Sequence, residues 1–232
     1  MSDTLRPNVS IVSPFRQNGA AYVDAYFKRA YALTFPARLR WVCVEGDSTD
    51  DTPLRLMHYG ITDTRVKLVK CDTGAPRYGS EVSPERFKVL AKVFNAGLDA
   101  VDLEWSDYVM FLPSDVIYEP SLIDRLAGWN CDLIAPMFWA TEATHGRFYD
   151  IWGFWHEGKS FHPTPPAWYE AHYPQDEPLK MDTVGGCILM RKEVVASGCR
   201  YSPEEVDHGL CKQAQAKGFE VYCDLHTHIF HP

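Results

Sequence analysis

Along most of the chain, short runs of β-branched and apolar residues alternate with stretches whose apolar residues recur at helical spacing. This alternation restricts the fold more than any other feature. NVSIVS (8 to 13), closed by Pro14, reads as a strand, and AAYVDAYFKRAYAL as the helix it feeds. RLRWVCVE (38 to 45) is a second strand, DDTPLRLMHYG a short helix ended by Gly60, and RVKLVKC (65 to 71) a third strand. Ser83 and Pro84 open the next helix as cap and first-turn proline, with ERFKVLAKVFNAGLDAV behind them. SDYVMFLP (106 to 113), CDLIAPMFW (131 to 139), TVGGCILMRK and FEVYCDL supply further strands. Helices are expected at EPSLIDRLAGW and at EEVDHGLCKQAQAKG, the latter ended by Gly218. Strands and helices in this order predict an α/β fold, a Rossmann-like, mostly parallel sheet flanked by helices.

No linker or internal repeat divides the 232 residues, so a single domain over 1–232 is expected. Between 140 and 181 the period disappears, while Trp152, Trp155, Trp168, several other aromatics and five prolines accumulate. Aromatics at this density predict a folded lid or binding loop rather than disorder. A formal charge of -8 excludes the uniformly basic surface of a non-specific nucleic-acid binder, though not a local basic groove. The seven cysteines contain no CxxC pair, which argues against a disulfide scaffold or structural zinc site and for a reducing compartment. No stretch is apolar enough for a signal peptide or a membrane span, so a cytoplasmic protein without stable membrane insertion is expected.

In open α/β sheets ligands sit beyond the carboxyl ends of the strands. Pro14, Phe15 and Arg16 leave the first strand, Glu45, Gly46, Asp47 and Ser48 the second, and Pro113, Ser114 and Asp115 the fourth, while Asp207 begins the last helix. A strand-end carboxylate can accept the N–H donors of a nucleotide base, and a sugar diphosphate calls for a cation held by a second carboxylate. Glu45 and Asp47 are the candidates for the base and ribose end, and Asp115 for the cation. Ser48, Asp50 and Asp51 stand where they can cap the following helix.

VSIVSPFRQN, LTFP running into VEGDSTDDT, ERFKVLAKVFNAGL, DYVMFLPSDVIYEPSLI, DTVGGCILMRKEV and GLCKQAQAKGFEVY ending in His231 occur in the order seen in a known group. The chain resembles the fungal Golgi mannosyltransferases of the α-1,6 mannan backbone (glycosyltransferase family 62), and more loosely the family 2 transferases. That resemblance implies a GT-A fold, a nucleoside-diphosphate sugar donor (GDP- or UDP-linked) and usually Mn²⁺ or Mg²⁺. It also implies that His231 is a second metal ligand, that Lys92 (rather than Arg86) meets the diphosphate, and that Gly185 and Gly186 let the donor sugar approach the backbone. Asp207 falls where inverting family 2 enzymes carry the base that deprotonates the acceptor hydroxyl; the fungal enzymes retain configuration and need none. Where the family has Asp-x-Asp, this chain has Pro113, Ser114, Asp115, which implies weak or dispensable metal binding.

The expected function is transfer of a hexose to an acceptor hydroxyl, with Trp152, Trp155 and Trp168 as the acceptor-stacking surface. The acceptor is left open among a glycan, a lipid-linked glycan, a protein and a modified base in DNA. A nucleotidyltransferase and a non-catalytic sugar-nucleotide or glycan-binding module are the alternatives.

Overall fold

The computed structural model describes residues 7–34, 38–79, 82–140, 147–161, 173 and 176–232. The run VSIVSPF forms strand β1 (Val9–Phe15), buried at every position but one, as a parallel strand covered on both faces must be. It pairs in parallel with β2 (Leu39–Glu45) on one side and with β4 (Tyr108–Phe111) on the other, and β3 (Val66–Lys70) extends the sheet beyond β2. Helices α1 (Ala20–Ala30), α2 (Thr52–Thr62) and α3 (Pro84–Asp99) make the crossovers. Ser83 caps α3 by accepting the Arg86 N–H at 3.3 Å, with Pro84 in the first turn, as the sequence predicts.

Beyond β4 the sheet becomes mixed. β10 (Ile188–Arg191) inserts antiparallel between β4 and β6 (Leu133–Ala140), β11 (Val221–His231) runs parallel to β6, and β5 (Ile117–Tyr118) and β9 (Leu179–Lys180) pair antiparallel with β11. Helices α4 (Leu122–Gly128), α5 (Lys192–Ala196) and α6 (Asp207–Ala216) complete the frame. The strand order β3-β2-β1-β4-β10-β6-β11-β5 makes this a large, mostly parallel α/β sheet flanked by helices.

Several boundaries depart from expectation. α2 runs through Gly60 to Thr62, one poor helix former being outweighed by the turns around it. Asp51 does not cap α2: its Oδ1 accepts the Ala20 N–H at 2.8 Å, and the Thr52 hydroxyl accepts the Asn18 and Gly19 N–H groups, so the STDDT turn caps α1. The final strand continues past FEVYCDL to His231. Pro136 of β6 cannot donate to the ladder, and opposite it β11 shifts register between Asp224 and His228. Asp224 closes that bulge, accepting the His226 N–H at 2.9 Å and the Thr227 hydroxyl at 2.5 Å. The strand beyond it then carries His231 to the site.

Part of the aromatic segment, expected as a lid, is core: Phe148, Phe154 and Phe161 are buried, and β7 (Trp155–His156) pairs antiparallel with β8 (Lys159–Ser160). No helix of the described residues is long and apolar enough to cross a membrane.

Candidate active site

A cavity of about 690 Å³ opens at the carboxyl ends of β1, β2 and β4. Pro14, Phe15 and Arg16 form one wall with Asp47, and Pro113, Ser114, Asp115 and His231 another. Asp207, Gly186 and Trp152 close the far side. The topology therefore brings most of the sequence candidates together.

Asp47 holds together the wall formed by the loops after β2 and β3. Its carboxylate accepts the Thr73 hydroxyl at 2.5 Å and the Thr73 and Gly74 N–H groups at about 3 Å. The Thr73 hydroxyl above all, with those N–H groups and nearby Arg16, holds the Asp47 carboxyl down at about 2. Arg16 donates to the Ala75 and Pro76 carbonyls, while its Nε is buried without a protein partner. A diphosphate or sugar oxygen is the kind of acceptor such a donor lacks.

Glu45 points elsewhere. It is 1% exposed, accepts the Ser48 N–H at 3.1 Å and Lys70 Nζ at 2.6 Å, and does not line the cavity. Its register partner on β3 is Lys70, so the last residues of two neighbouring strands neutralise each other. Lys92 is also turned away, donating to the Asp72 carbonyl at 3.1 Å, whereas Arg86 lines the cavity. Six helical residues separate the two, about 240° around the axis.

Asp115 and His231 meet at the cavity wall, Nε2 to Oδ2 3.2 Å, and the carboxylate raises the imidazole above its ordinary value. Tyr149 stacks on the His231 ring at 4.2 Å. Among the described residues, no group of three or more His, Cys, Asp or Glu is placed to hold a metal ion.

Asp150, which sequence reasoning missed, lines the cavity next to Asp207. Its Oδ1 accepts the Gly153 N–H at 2.9 Å. A Cβ on Gly153, Gly185 or Gly186 would lie 2.6, 2.5 or 3.2 Å from Asp150 Oδ2, so three glycines form a socket for this oxygen. The room that Gly185 and Gly186 were expected to leave for a donor sugar is thus filled, in part, by a carboxylate. Burial raises Asp150 to about 6, and burial together with Asp150 raises Asp207 well above the carboxylate range. Val206, immediately before Asp207, is held at φ 46, a costly conformation for a β-branched residue, by its paired backbone bonds to Ser202.

Trp152 is 42% exposed, lines the cavity and stacks on His208 at 5.6 Å. Its carbonyl accepts from His208 Nε2 and Trp155 Nε1. Trp155 braces this turn and does not line the cavity; Trp168 lies outside the described residues.

The fold has counterparts among solved structures. A Pyrobaculum calidifontis mannosyltransferase, PcManGT, in complex with GDP-Man and Mn²⁺, superposes with a TM-score of 0.62 at 15% identity, covering 98% of this chain. S. aureus TarS 1-349 superposes at 0.60 with 12% identity and 96% coverage, and has also been solved in complex with UDP. The fold is the GT-A glycosyltransferase fold. This chain spans 57% of the length of the first and 60% of the second. No family model and no curated sequence matches it, so the likeness to the fungal family 62 enzymes rests on the motifs alone.

Proposed function

We propose that the protein is a glycosyltransferase that moves a hexose from a nucleoside-diphosphate sugar to an acceptor hydroxyl. The observation that carries this is one cavity at the carboxyl edge of a GT-A sheet that collects Asp47 and Arg16, the Asp115–His231 pair, Arg86 and Asp207. On this reading Asp47 fixes the loop against which base and ribose lie, and Arg16 Nε and Arg86 bind the diphosphate. Asp207 faces the acceptor side, flanked by Trp152, whose exposed ring offers a stacking surface. The motif resemblance and the GDP-Man complex of PcManGT make GDP-mannose the first donor to try, and UDP-hexoses the second.

A divalent cation fits Asp115 and His231. A carboxylate and an imidazole 3.2 Å apart suit Mn²⁺, with water and diphosphate oxygens completing the shell. Held there, such an ion would supply positive charge against the departing diphosphate. Two protein ligands, with Pro113 in place of a third, make for loose binding.

The test is thermal stability of the protein with GDP- and UDP-sugars, with and without Mn²⁺, followed by product analysis. A donor that raises Tm and is turned over to free nucleoside diphosphate is the expected result. Release of pyrophosphate would establish a nucleotidyltransferase, and binding without turnover across acceptor classes a binding module.

A further inference from the structure

Three features converge on the acceptor side of the cavity. Asp150 Oδ2 and Asp207 Oδ2 reach into the same space beside Gly185, 2.5 and 3.3 Å from where its Cβ would be. A Cβ on Gly153 would lie 2.6 Å from the same Asp150 oxygen, so a side chain at Gly153 or Gly185 would displace the carboxylate, whereas one at Gly186 would first meet the Phe138 ring at 2.4 Å. Asp207 Oδ1 is buried without a hydrogen-bond partner, and strained Val206 fixes it there. Two acids that reach into one space, one of them with a buried orphan oxygen, cannot both be ionised cheaply.

We infer that Asp150 and Asp207 form a pair sharing a single proton, and that this pair, rather than Asp207 alone, is the base that accepts the acceptor hydroxyl's proton. The inference rests on the glycosyltransferase reading. Asp150 is the better anion, since the Gly153 N–H bonds its Oδ1, and Asp207 the better proton holder, since its Oδ1 receives no donor. Burial raises both, and the neighbouring Asp150 raises Asp207 further. The groups facing the pair are Arg86 from α3, Tyr149 beside Asp150, and Tyr201 and Cys211 beside Asp207. Of these only Arg86 is cationic, and it leaves the pair with one net charge to fill.

In the transfer step the acceptor O–H bond breaks as its oxygen bonds to the sugar C1. The proton goes to the singly ionised pair, making it neutral, and the C1–O bond to the diphosphate breaks with its electrons leaving on the diphosphate. Water removes the proton after product release. Attack assisted in this way inverts configuration at C1.

The experiment is a pH titration of the full chain, carrying ¹³C-carboxyl aspartate, by NMR, with Asp150→Asn and Asp207→Asn for assignment. Two steps are expected, with Asp207 the higher; in Asp150→Asn its step should fall by about one pH unit or more, and Asp207→Asn should lower that of Asp150 in turn. The second variant keeps the test open if the first fails to fold. Joint titration below pH 5, or steps that ignore the neighbour's removal, would overturn the pair. Loss of both steps on adding Mg²⁺ alone would make it a cation site instead.

Activity tests the catalytic half. Asp207→Asn should cut acceptor transfer by about 100-fold or more while sparing donor binding. Asp150→Asn should shift the acid limb of kcat/KM to lower pH, whereas a merely structural Asp150 would lower the rate without moving it. If no nucleotide sugar is bound or turned over while both steps titrate as expected, the glycosyltransferase reading falls and takes the base role with it, and the one-proton pair stands.

Discussion

Asp47→Asn isolates the contacts that tie the turn after β2 to Thr73 and Gly74. The backbone there has φ 58, which asparagine tolerates nearly as well as aspartate, so the exchange alters charge and bonding rather than shape. The carboxylate accepts from the Thr73 hydroxyl and from the Thr73 and Gly74 N–H groups, whereas an amide has one acceptor oxygen and turns its NH₂ toward a donor. Losing one charge-assisted bond of this set should destabilise the fold by about 1.5 to 3 kcal/mol at pH 7. The pH dependence follows from the depressed value. A carboxyl at about 2 in the folded chain and near its ordinary value when unfolded contributes stability that is fully present above the ordinary value. That contribution is lost as pH falls from there toward 2. Urea unfolding of both proteins at pH 7, 5 and 3 should therefore show a gap that is constant from 7 to 5 and narrower at 3. A gap that does not change with pH, or none at pH 7, would refute the assignment of these bonds.

Trp152→Ala should cost less than Phe154→Ala, about 1 to 2 kcal/mol, because the ring is 42% exposed, while reducing acceptor transfer more than donor hydrolysis. Phe154→Ala, fully buried only two residues on, should cost about 3 to 5 kcal/mol by thermal or urea unfolding. Glu45→Gln should lower unfolding stability by about 1 kcal/mol through its lost ion pair with Lys70 and leave donor affinity by calorimetry unchanged. Asp115→Asn should keep the fold by circular dichroism and lose about 100-fold in Mn²⁺-supported turnover; full activity would place the cation elsewhere. Gly185→Ala should cost about 1 to 3 kcal/mol in urea unfolding, since its methyl group would meet the Gly153 backbone at 2.9 Å as well as Asp150.

The parallel half of the sheet was legible because strands buried on both faces write themselves as unbroken apolar runs. VSIVSPF and LRWVCVE carry that pattern, and Ser83-Pro84 is a start signal set by local chemistry. β10 gave no sign of its antiparallel insertion, since its direction depends on where the chain re-enters the sheet. β11 was read six residues short of His231 because HTHIFH begins within a bulge, which breaks the period that identifies strands. The absence of Glu45 from the cavity lining did have a signal. VCVE and KLVK end in opposite charges at equivalent positions of adjacent strands, and such ends pair across the sheet.

Asp150 had no comparable signal, and the reason is physical. Its partners, Gly153, Gly185, Gly186 and Asp207, are joined by space and not by spacing, and it sits in the stretch where neither helix nor strand period operates. What the sequence did contain was a set of local exceptions without visible cause: two adjacent glycines before an apolar strand, an acid at a helix start after a β-branched residue, and an acid in an aromatic loop. The last two are costly alone. Val206 at φ 46 is strained, Asp207 Oδ1 is buried unpaired, and Asp150 keeps a carboxylate where burial disfavours its charge. A chain that needed only to fold would gain from relieving them, by glycine at Val206 or asparagine at Asp150. Yet they share one cavity wall, and each makes room for, aims or charges the same pair of carboxylates. Costs that coincide at one point in space, while the surrounding core obeys local rules, are what a preorganised reacting centre requires.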